Sequence, residues 1–371
     1  MKKILHLLVS GSTGGIEILM KNYASASLLD NVFLFGWAGG EIADSMRENG
    51  QKTIVLQKKK IGSLKLIKEI INRCQILKPD TVVVHHAAPL LRLVSVIIKN
   101  TFPKIRVINY AHSDAADMYE ESNYVKQIIS KHLQILAMKK SDKVIAISDS
   151  VKRSLIKEFG IDKDKIVVIY NGVPLDQFSP CLKDEHNEMR IIYVGRLIEG
   201  KGVQVIIEAL SMISNLSYSF TVVGDGPYKS TLENLAKQYS IDNKVVFLGC
   251  RNDVPDLLKS SDVFVHVPIL EEGFGITIVE AMASGNICIC ADSGGIPEII
   301  HDKTNGFLVQ KNNPSQLANV LEDLICEYPS SRIDIIEKNA IQSAKKYDLN
   351  KFKTLLDSVL VGDNEQHNNL I

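Results

Sequence analysis

The feature that most constrains this chain is a repeat. Short, unbroken apolar runs alternate with longer stretches of helical spacing along nearly the whole sequence. The runs Ile4–Val9, Val32–Phe35, Thr81–Val84, Val107–Tyr110 and Val144–Ile147 are four to six residues long. Between them, apolar residues recur every three or four positions, as at Leu64, Ile67, Ile70, Ile71 and Cys74 in the segment Ser63 to Leu77. A strand that is apolar at every position is buried on both faces, and helices are what cover it. The pattern predicts parallel sheets wrapped by helices.

The rhythm breaks after Ile166–Tyr170, at Asn171-Gly172-Val173-Pro174, where Asn-Gly and Pro mark a turn. The polar stretch Lys183 to Glu188 reads as a linker. A second alternation begins at Ile191–Val194 and runs through Phe220–Val223, Val245–Leu248, Val263–Val267, Ile287–Ala291 and Phe307–Val309. With 371 residues and about 150 per domain, the expectation is two doubly wound α/β domains, residues 1–172 and residues 173–348. The last helical segment, Leu349 to Leu360 within 349–371, is able to return to the first domain. The polar tail Gly362 to Asn369 reads as frayed.

Composition excludes several classes. The apolar fraction of 45% and charged fraction of 23% are those of a globular chain, not a disordered one. No apolar run reaches the roughly 18 residues of a membrane-spanning helix. The N-terminal apolar stretch is short, broken by His6 and followed by glycines, so a buried first strand fits better than a signal peptide. Cys74, Cys181, Cys250, Cys288, Cys290 and Cys326 form no C-x-x-C pair, which argues against zinc and fits a reducing cytoplasm. Cys288 and Cys290 share one face of a buried strand.

The net charge of zero hides an asymmetry. Residues 1–170 carry 26 Lys+Arg against 16 Asp+Glu, and residues 171–371 carry 17 against 27. A basic half suits phosphates, nucleic acid or an anionic membrane surface. Two halves that merely attract each other are the plainer alternative.

In doubly wound sheets, ligands bind beyond the carboxyl ends of the strands. Three loops qualify. Ser10 to Gly15 opens a helix near Ile16, where backbone N–H groups favour an anion; a tight strand-to-helix turn with no ligand is the alternative, and alone the signal is weak. Gly11-x-x-Gly14-Gly15 is not G-x-G-x-x-G, which makes an NAD-dependent oxidoreductase a poor second choice. Gly195 to Gly202 offers Arg196 as a planar fork and Lys201 as a point charge for a diphosphate, set against the reading that both are only solvated. Leu270 to Ala283 places Glu272 before a glycine-flanked helix start and Glu280 inside that helix. Two carboxylates eight apart can serve two hydroxyl-rich parts of one ligand. A glycosidase pair is the rival, and needs both acids across one bond.

These motifs resemble glycosyltransferase family 4. The residues that carry the likeness are Gly14-Gly15-Ile16-Glu17, Asn171-Gly172-Val173, Gly195-Arg196-Leu197 with Lys201-Gly202, Val223-Gly224-Asp225-Gly226-Pro227, Glu272-Gly273-Phe274-Gly275 with Glu280-Ala281-Met282, Asp292 to Glu298, and Asn305 to Val309. The likeness is strong from 190 to 310 and weaker in the first half. It implies a GT-B fold, two Rossmann-like domains facing a central cleft, and retaining transfer of a hexose-type sugar from a nucleotide sugar. It implies that Arg196 and Lys201 clamp the donor diphosphate with backbone at Gly15, Gly275 and Ile276. Glu280 would hold the ribose. Glu272, with Gly273, Phe274 and Gly275, would hold the transferred sugar. Arg251 would meet the base. His112 would stand near the reacting face, with a loop histidine of no role as its alternative. Gly285-Asn286-Ile287 departs from the family's Gly-x-Pro at a structural position.

The resemblance further implies a glycan or lipid-linked acceptor in bacterial surface polysaccharide synthesis, such as lipopolysaccharide or capsule. The enzyme would be cytoplasmic and peripheral on an anionic membrane, with no nucleic-acid partner. A UDP-sugar is the expected donor, as substrate rather than cofactor, and no metal is expected. Asp162-Lys163-Asp164 imitates a metal-binding D-x-D but precedes a strand in a Lys-rich turn, and reads as surface. A nucleotide-sugar-binding module without activity and a nucleotide-sugar epimerase remain as alternatives. The basic residues expected at the membrane are Lys58, Lys59, Lys60, Lys65, Lys68, Lys99, Lys104 and Arg106, with Phe102 as an apolar wedge.

Overall fold

The computed structural model describes residues 1–12, 14–56, 63–85, 89–113, 124–181, 188–328 and 330–363. Thr13 of the first glycine loop, Lys58, Lys59 and Lys60, Asp114, the linker residues 183–187 and the tail from 364 onward lie outside the described residues. The chain divides into two compact units, Met1–Gly172 with Leu349–Ile371, and Val173–Asp348.

Among the described residues the first unit holds seven parallel strands: β1 (Lys3–Ser10), β2 (Asp30–Ala38), β3 (Lys52–Val55), β4 (Thr81–His85), β5 (Arg106–Ala111), β6 (Lys143–Ala146) and β7 (Ile166–Val168). Their order across the sheet is β3-β2-β1-β4-β5-β6-β7. The helices between them are α1 (Gly15–Ala26), α2 (Glu41–Glu48), α3 (Ser63–Leu77), α4 (Pro89–Thr101), α5 (Tyr124–Lys140) and α6 (Asp149–Phe159). Alternate strand residues divide between the two helical layers. Leu5, Leu7, Val32, Leu34, Val82 and Val84 face one layer, where Leu66, Ile70 and Cys74 of α3 and Leu91, Val94 and Ile98 of α4 cover them.

The second unit repeats the plan with six strands: β8 (Met189–Val194), β9 (Tyr218–Val223), β10 (Val245–Gly249), β11 (Val263–His266), β12 (Ile287–Ala291) and β13 (Phe307–Val309). Their order is β10-β9-β8-β11-β12-β13, again all parallel. Its helices are α7 (Val203–Met212), α8 (Lys229–Gln238), α9 (Val254–Lys259), α10 (Ile276–Ala283), α11 (Pro314–Glu327) and α12 (Ser331–Ala344). Cys288 and Cys290 are fully buried on β12. The final helix, α13 (Leu349–Val361), packs on the first unit. There Thr81 Oγ1 donates to the Leu360 carbonyl at 2.9 Å, and Arg106 donates to the Val359 carbonyl.

Two details differ from the sequence reading. β3 was not anticipated, because it is four residues at a sheet edge with no fully buried position. Leu64 is 78% exposed, so the buried face of α3 runs through Leu66, Ile70 and Cys74 instead. Leu64 sits in the first turn of α3.

Candidate active site

In both sheets the chain order reverses between neighbouring strands, β1 and β4 in one and β8 and β11 in the other. Such a reversal leaves a crevice at the strands' carboxyl ends. In the second unit β8 leads into Gly195-Arg196, and β11 leads through Pro268 to Glu272 and α10. Gly202 lets these loops touch. Its φ is 75°, and a Cβ there would stand 1.9 Å from the Val267 carbonyl oxygen, so only glycine fits.

The contact brings three side chains together. Lys201 Nζ lies 2.6 Å from Glu272 Oε2, and His266 Nε2 lies 2.9 Å from the same oxygen. A carboxylate only accepts, so His266 Nε2 carries a proton and donates it. Burial pushes the Glu272 carboxyl up, but the Lys201 charge and the His266 hydrogen bond outweigh it and hold the group well below the usual carboxylate range. Both donors converge on Oε2, which leaves Oε1 as the oxygen turned to other partners. Gly294 and Gly295 brace the backbone behind it: the Gly295 N–H donates to the Glu272 carbonyl at 2.8 Å.

α10 begins at left-handed Gly275 with no side-chain cap. Its first N–H groups are therefore not claimed by a capping oxygen. Glu280, a turn further on, is partly buried, and burial pushes its carboxyl up to about 7. Phe274 is buried edge-on against the Tyr347 ring. Arg196 is exposed. Beneath it Tyr193 donates its hydroxyl to the Arg196 carbonyl at 3.1 Å, and the Tyr193 ring lies parallel to that of His266. Arg251 stands apart, in the loop after the edge strand β10, with its fork on Asp253 at 2.8 and 2.6 Å.

The first unit presents a different construction. α1 starts at exposed Gly15, and Gly14 before it supplies no side-chain cap. His112 follows β5 and begins a file of three imidazoles. Its Nε2 lies 3.0 Å from His85 Nδ1, and His85 Nε2 lies 3.0 Å from His6 Nδ1. His6 Nε2 lies 3.1 Å from Asn31 Oδ1. Stacking clamps both ends, Tyr110 on His112 at 4.1 Å and Phe33 on His6 at 4.6 Å between ring centres. Burial pushes His112 down to about 3 and His6 down to about 4, and pushes His85 down as well. Burial thus favours the neutral form of all three rings.

With this geometry in view, two family models match the chain almost end to end: "Glycosyltransferase Family 4" over residues 31–177 and "Glycosyl transferases group 1" over residues 179–345. The chain belongs to the family 4 type of GT-B glycosyltransferases. It is 30% identical to an uncharacterized glycosyltransferase of Methanocaldococcus jannaschii over 247 residues, 61% of this chain and 63% of that one. It is 33% identical to the UDP-Gal:alpha-D-GlcNAc-diphosphoundecaprenol alpha-1,3-galactosyltransferase of Escherichia coli over 210 residues, 53% of this chain and 54% of that one. The match thus spans less than two thirds of either relative. Among solved structures, Anabaena HepE in complex with UDP-glucose superposes with a TM-score of 0.85 at 22% identity, covering 98% of this chain and all of that one. The GT-B fold follows from that likeness and the two Rossmann-like sheets.

Within this GT-B chain, Lys201 and Glu272 are brought into contact, Arg196 shares the Lys201 loop, and Gly273 to Ile276 and Glu280 follow directly. Arg251 is not in the cluster, since β9 separates its strand from β8. Gly15 and His112 both lie at the carboxyl edge of the first sheet. Asp162 of the D-x-D accepts from the Asp164 N–H at 3.0 Å, closing a local turn. Sequence reasoning missed His266, His85, His6 and Asn31. His266 and His6 interrupt otherwise apolar runs, and His85 ends one. A polar residue inside a buried run was the available signal, and it was read only as a blemish.

Proposed function

We propose that the protein transfers a hexose-type sugar, with retention, from a nucleotide sugar to a glycan or lipid-linked acceptor in bacterial surface polysaccharide synthesis. The observation that carries this reading is the convergence of Lys201 and His266 on one oxygen of Glu272, beside an uncapped helix start. A diphosphate would draw Lys201 to itself and meet Arg196 and the N–H groups at Gly275 and Ile276. Leaving-group charge would be met by donors already in place. No step requires a metal, because these cations and dipoles do the neutralising. Glu272 Oε1 would accept from the sugar's hydroxyls, with His266 keeping the carboxylate oriented. Glu280 would accept from the ribose. Arg251 would have to release Asp253 to reach a base. Gly15 and His112 would keep the roles that the resemblance implies for them, and the first domain would bind the acceptor.

A UDP-sugar as donor is supported by the HepE complex with UDP-glucose and by the UDP-galactose in the name of the Escherichia coli relative. The same name carries a lipid diphosphate acceptor, which suits a cytoplasmic enzyme docked on the inner membrane face. Among the described residues no helix is long and apolar enough to cross a membrane. Part of the basic surface expected to meet the membrane is engaged internally. Lys99 reaches both Asp142 oxygens at 2.7 Å, Arg106 bonds to α13, and Phe102 packs against the core. α5 fits the role better. It carries four lysines and no carboxylate, and exposes Ile128, Ile129 and Leu136.

The deciding experiment is a thermal-shift panel of UDP-, GDP- and ADP-sugars, followed by donor turnover and the anomeric configuration of the product. Stabilisation by one nucleotide class and turnover with retention support the reading. Binding with no turnover toward any acceptor would reduce the protein to a binding module, and conversion of donor alone would make it an epimerase.

A further inference from the structure

We propose that Asp357 on α13 sets the direction of a hydrogen-bond chain that crosses the first sheet and holds His112 in a single tautomer, with Nε2 protonated and Nδ1 presented as an acceptor. The argument needs only which atoms can donate. A carboxylate accepts and never donates. Asp357 Oδ1 takes the Tyr23 hydroxyl at 2.6 Å and the Ser27 hydroxyl at 3.0 Å, while Lys353 pairs with Oδ2 at 3.2 Å. Ser27 has one proton. Asp357 Oδ1 can only accept, so the proton goes to it, and the Ser27 oxygen must accept from Asn31 Nδ2, 3.0 Å away. That fixes the Asn31 amide, with Oδ1 turned to His6.

From there the direction propagates. Asn31 Oδ1 only accepts, so His6 Nε2 carries the proton. A neutral imidazole has one N–H, so His6 Nδ1 accepts, and His85 Nε2 must donate to it. His85 Nδ1 then accepts, and His112 Nε2 must donate. Reversing His6 or His85 would set N–H against N–H at 3.0 Å, and reversing His112 would set lone pair against lone pair. Burial keeps all three rings neutral, so no second proton relieves the constraint.

The sheet register makes the chain possible. Asn31, His6 and His85 sit on the adjacent strands β2, β1 and β4, and His112 just follows β5. Ile4 pairs with Asn31, His6 with Val83, and His85 with Tyr110. Each link therefore steps one strand across and two residues toward the carboxyl edge. A two-residue step keeps the side chain on the same face. The result is a diagonal line from a helix contact at one end of the sheet to the loop edge at the other. His6, His85 and Asn31 act through His112 and are positioning residues.

The consequence rests on the reading that His112 faces substrate: a substrate hydroxyl would find a lone pair there, not a donor and not a cation. The tautomer readout does not depend on that reading, whereas the kinetic one does. Full-length protein carrying ¹⁵N-labelled histidine reports tautomers through two-bond ¹⁵N–¹H correlations. In the wild type at pH 7, His6, His85 and His112 should each be neutral and protonated at Nε2. Asn31→Asp retains the acceptor toward His6 and should leave the pattern unchanged. Asn31→Leu and Asp357→Leu remove the direction, and His112 should then show a mixture of tautomers. Donor kcat/KM should fall about tenfold in Asn31→Leu, the size of one hydrogen bond, and recover in Asn31→Asp. Should Asp357→Leu fail to fold, the Asn31 pair carries the test. Nδ1 protonation or an imidazolium at His112 in the wild type overturns the proposal, as does an unchanged His112 tautomer in folded Asn31→Leu. A correct spectrum in a protein with no transferase activity would sink the function and leave the chain standing.

Discussion

The two units share a strand order and place their polar groups at the same edge of the sheet, yet they hold those groups by opposite means. In the second unit, a charge and a hydrogen bond hold a charge: Lys201 and His266 pin Glu272, and the carboxylate stays ionised. In the first unit, neutral rings fix one another through the direction of successive hydrogen bonds. A charged cluster suits a ligand that brings its own charge, because a diphosphate can replace one partner of an existing ion pair. A neutral file suits hydroxyl groups, which need an acceptor in a known place. The comparison teaches that the fold supplies the location and the side chains choose the ligand chemistry.

The sharpest break of that comparison is to remove the charge from the second unit. Lys201→Ala or Arg196→Ala should lower turnover about 100-fold or more, the scale of losing a fixed donor to developing charge. The variants should keep their fold by circular dichroism. Lys201→Ala should also cost stability at neutral pH. The sign follows from the depressed Glu272 carboxyl, whose stabilisation is present above its unfolded pKa near 4.5 and is lost as pH falls toward the folded value. Near-normal turnover in both variants would remove the diphosphate clamp. A strict requirement for Mn²⁺ or Mg²⁺ after chelation would contradict a metal-free step.

Glu280 allows a finer test, because its carboxyl is raised rather than lowered. The folded state keeps this proton between about 4.5 and about 7, so stability should fall as pH rises through that window and level off above it. Ribose hydroxyls that donate to the carboxylate would favour its ionised form. UDP binding should then expel a proton below pH 7 and tighten as pH rises from 5.5 to 7.5, by at most about tenfold per unit. Calorimetry in buffers of different ionisation enthalpy measures the proton release. Glu280→Gln should flatten the profile. A wild-type affinity independent of pH would detach Glu280 from the ligand.

Much of this was legible in the sequence because it rests on local pattern. Period and length fixed the strands, and glycines beside Glu272 and Lys201 marked the loops that approach each other. The edge strand β3 and the exposure of Leu64 were not legible, since both depend on where an element ends against its neighbour. The histidine file was invisible for a deeper reason. Asn31, His6, His85 and His112 are far apart in sequence, and only the register of four strands aligns them. His266 is the intermediate case, six residues before Glu272 in the chain. His266→Phe should keep the ring's packing on Tyr193 and remove one of the two donors to Glu272. The expected loss in kcat is about tenfold, smaller than for Lys201. A loss as large as that of Lys201→Ala would make His266 more than a brace.

The smallest expected effect concerns the outer surface of the first unit, where the comparison moves from sites to faces. Residues 1–170 hold the basic excess, and α5 gathers four lysines with exposed Ile128, Ile129 and Leu136. Each lysine near an anionic leaflet contributes roughly 1 kcal/mol, and exposed charge is screened within about 10 Å at 0.1 M salt. The protein should therefore sediment with anionic vesicles at low salt and be released at high salt. Ile128→Ser with Ile129→Ser should weaken that binding by removing apolar area, and the residual binding should become more salt-sensitive, since charge alone then holds it. Neutralising Lys58, Lys59 and Lys60 should weaken it in the opposite sense, leaving binding that is less salt-sensitive. Both sets should spare donor turnover, because none of these residues belongs to the clamp. Equal binding to neutral and anionic vesicles, or none to either, would remove the membrane as the reason for the basic half and leave attraction between the two oppositely charged halves as its explanation.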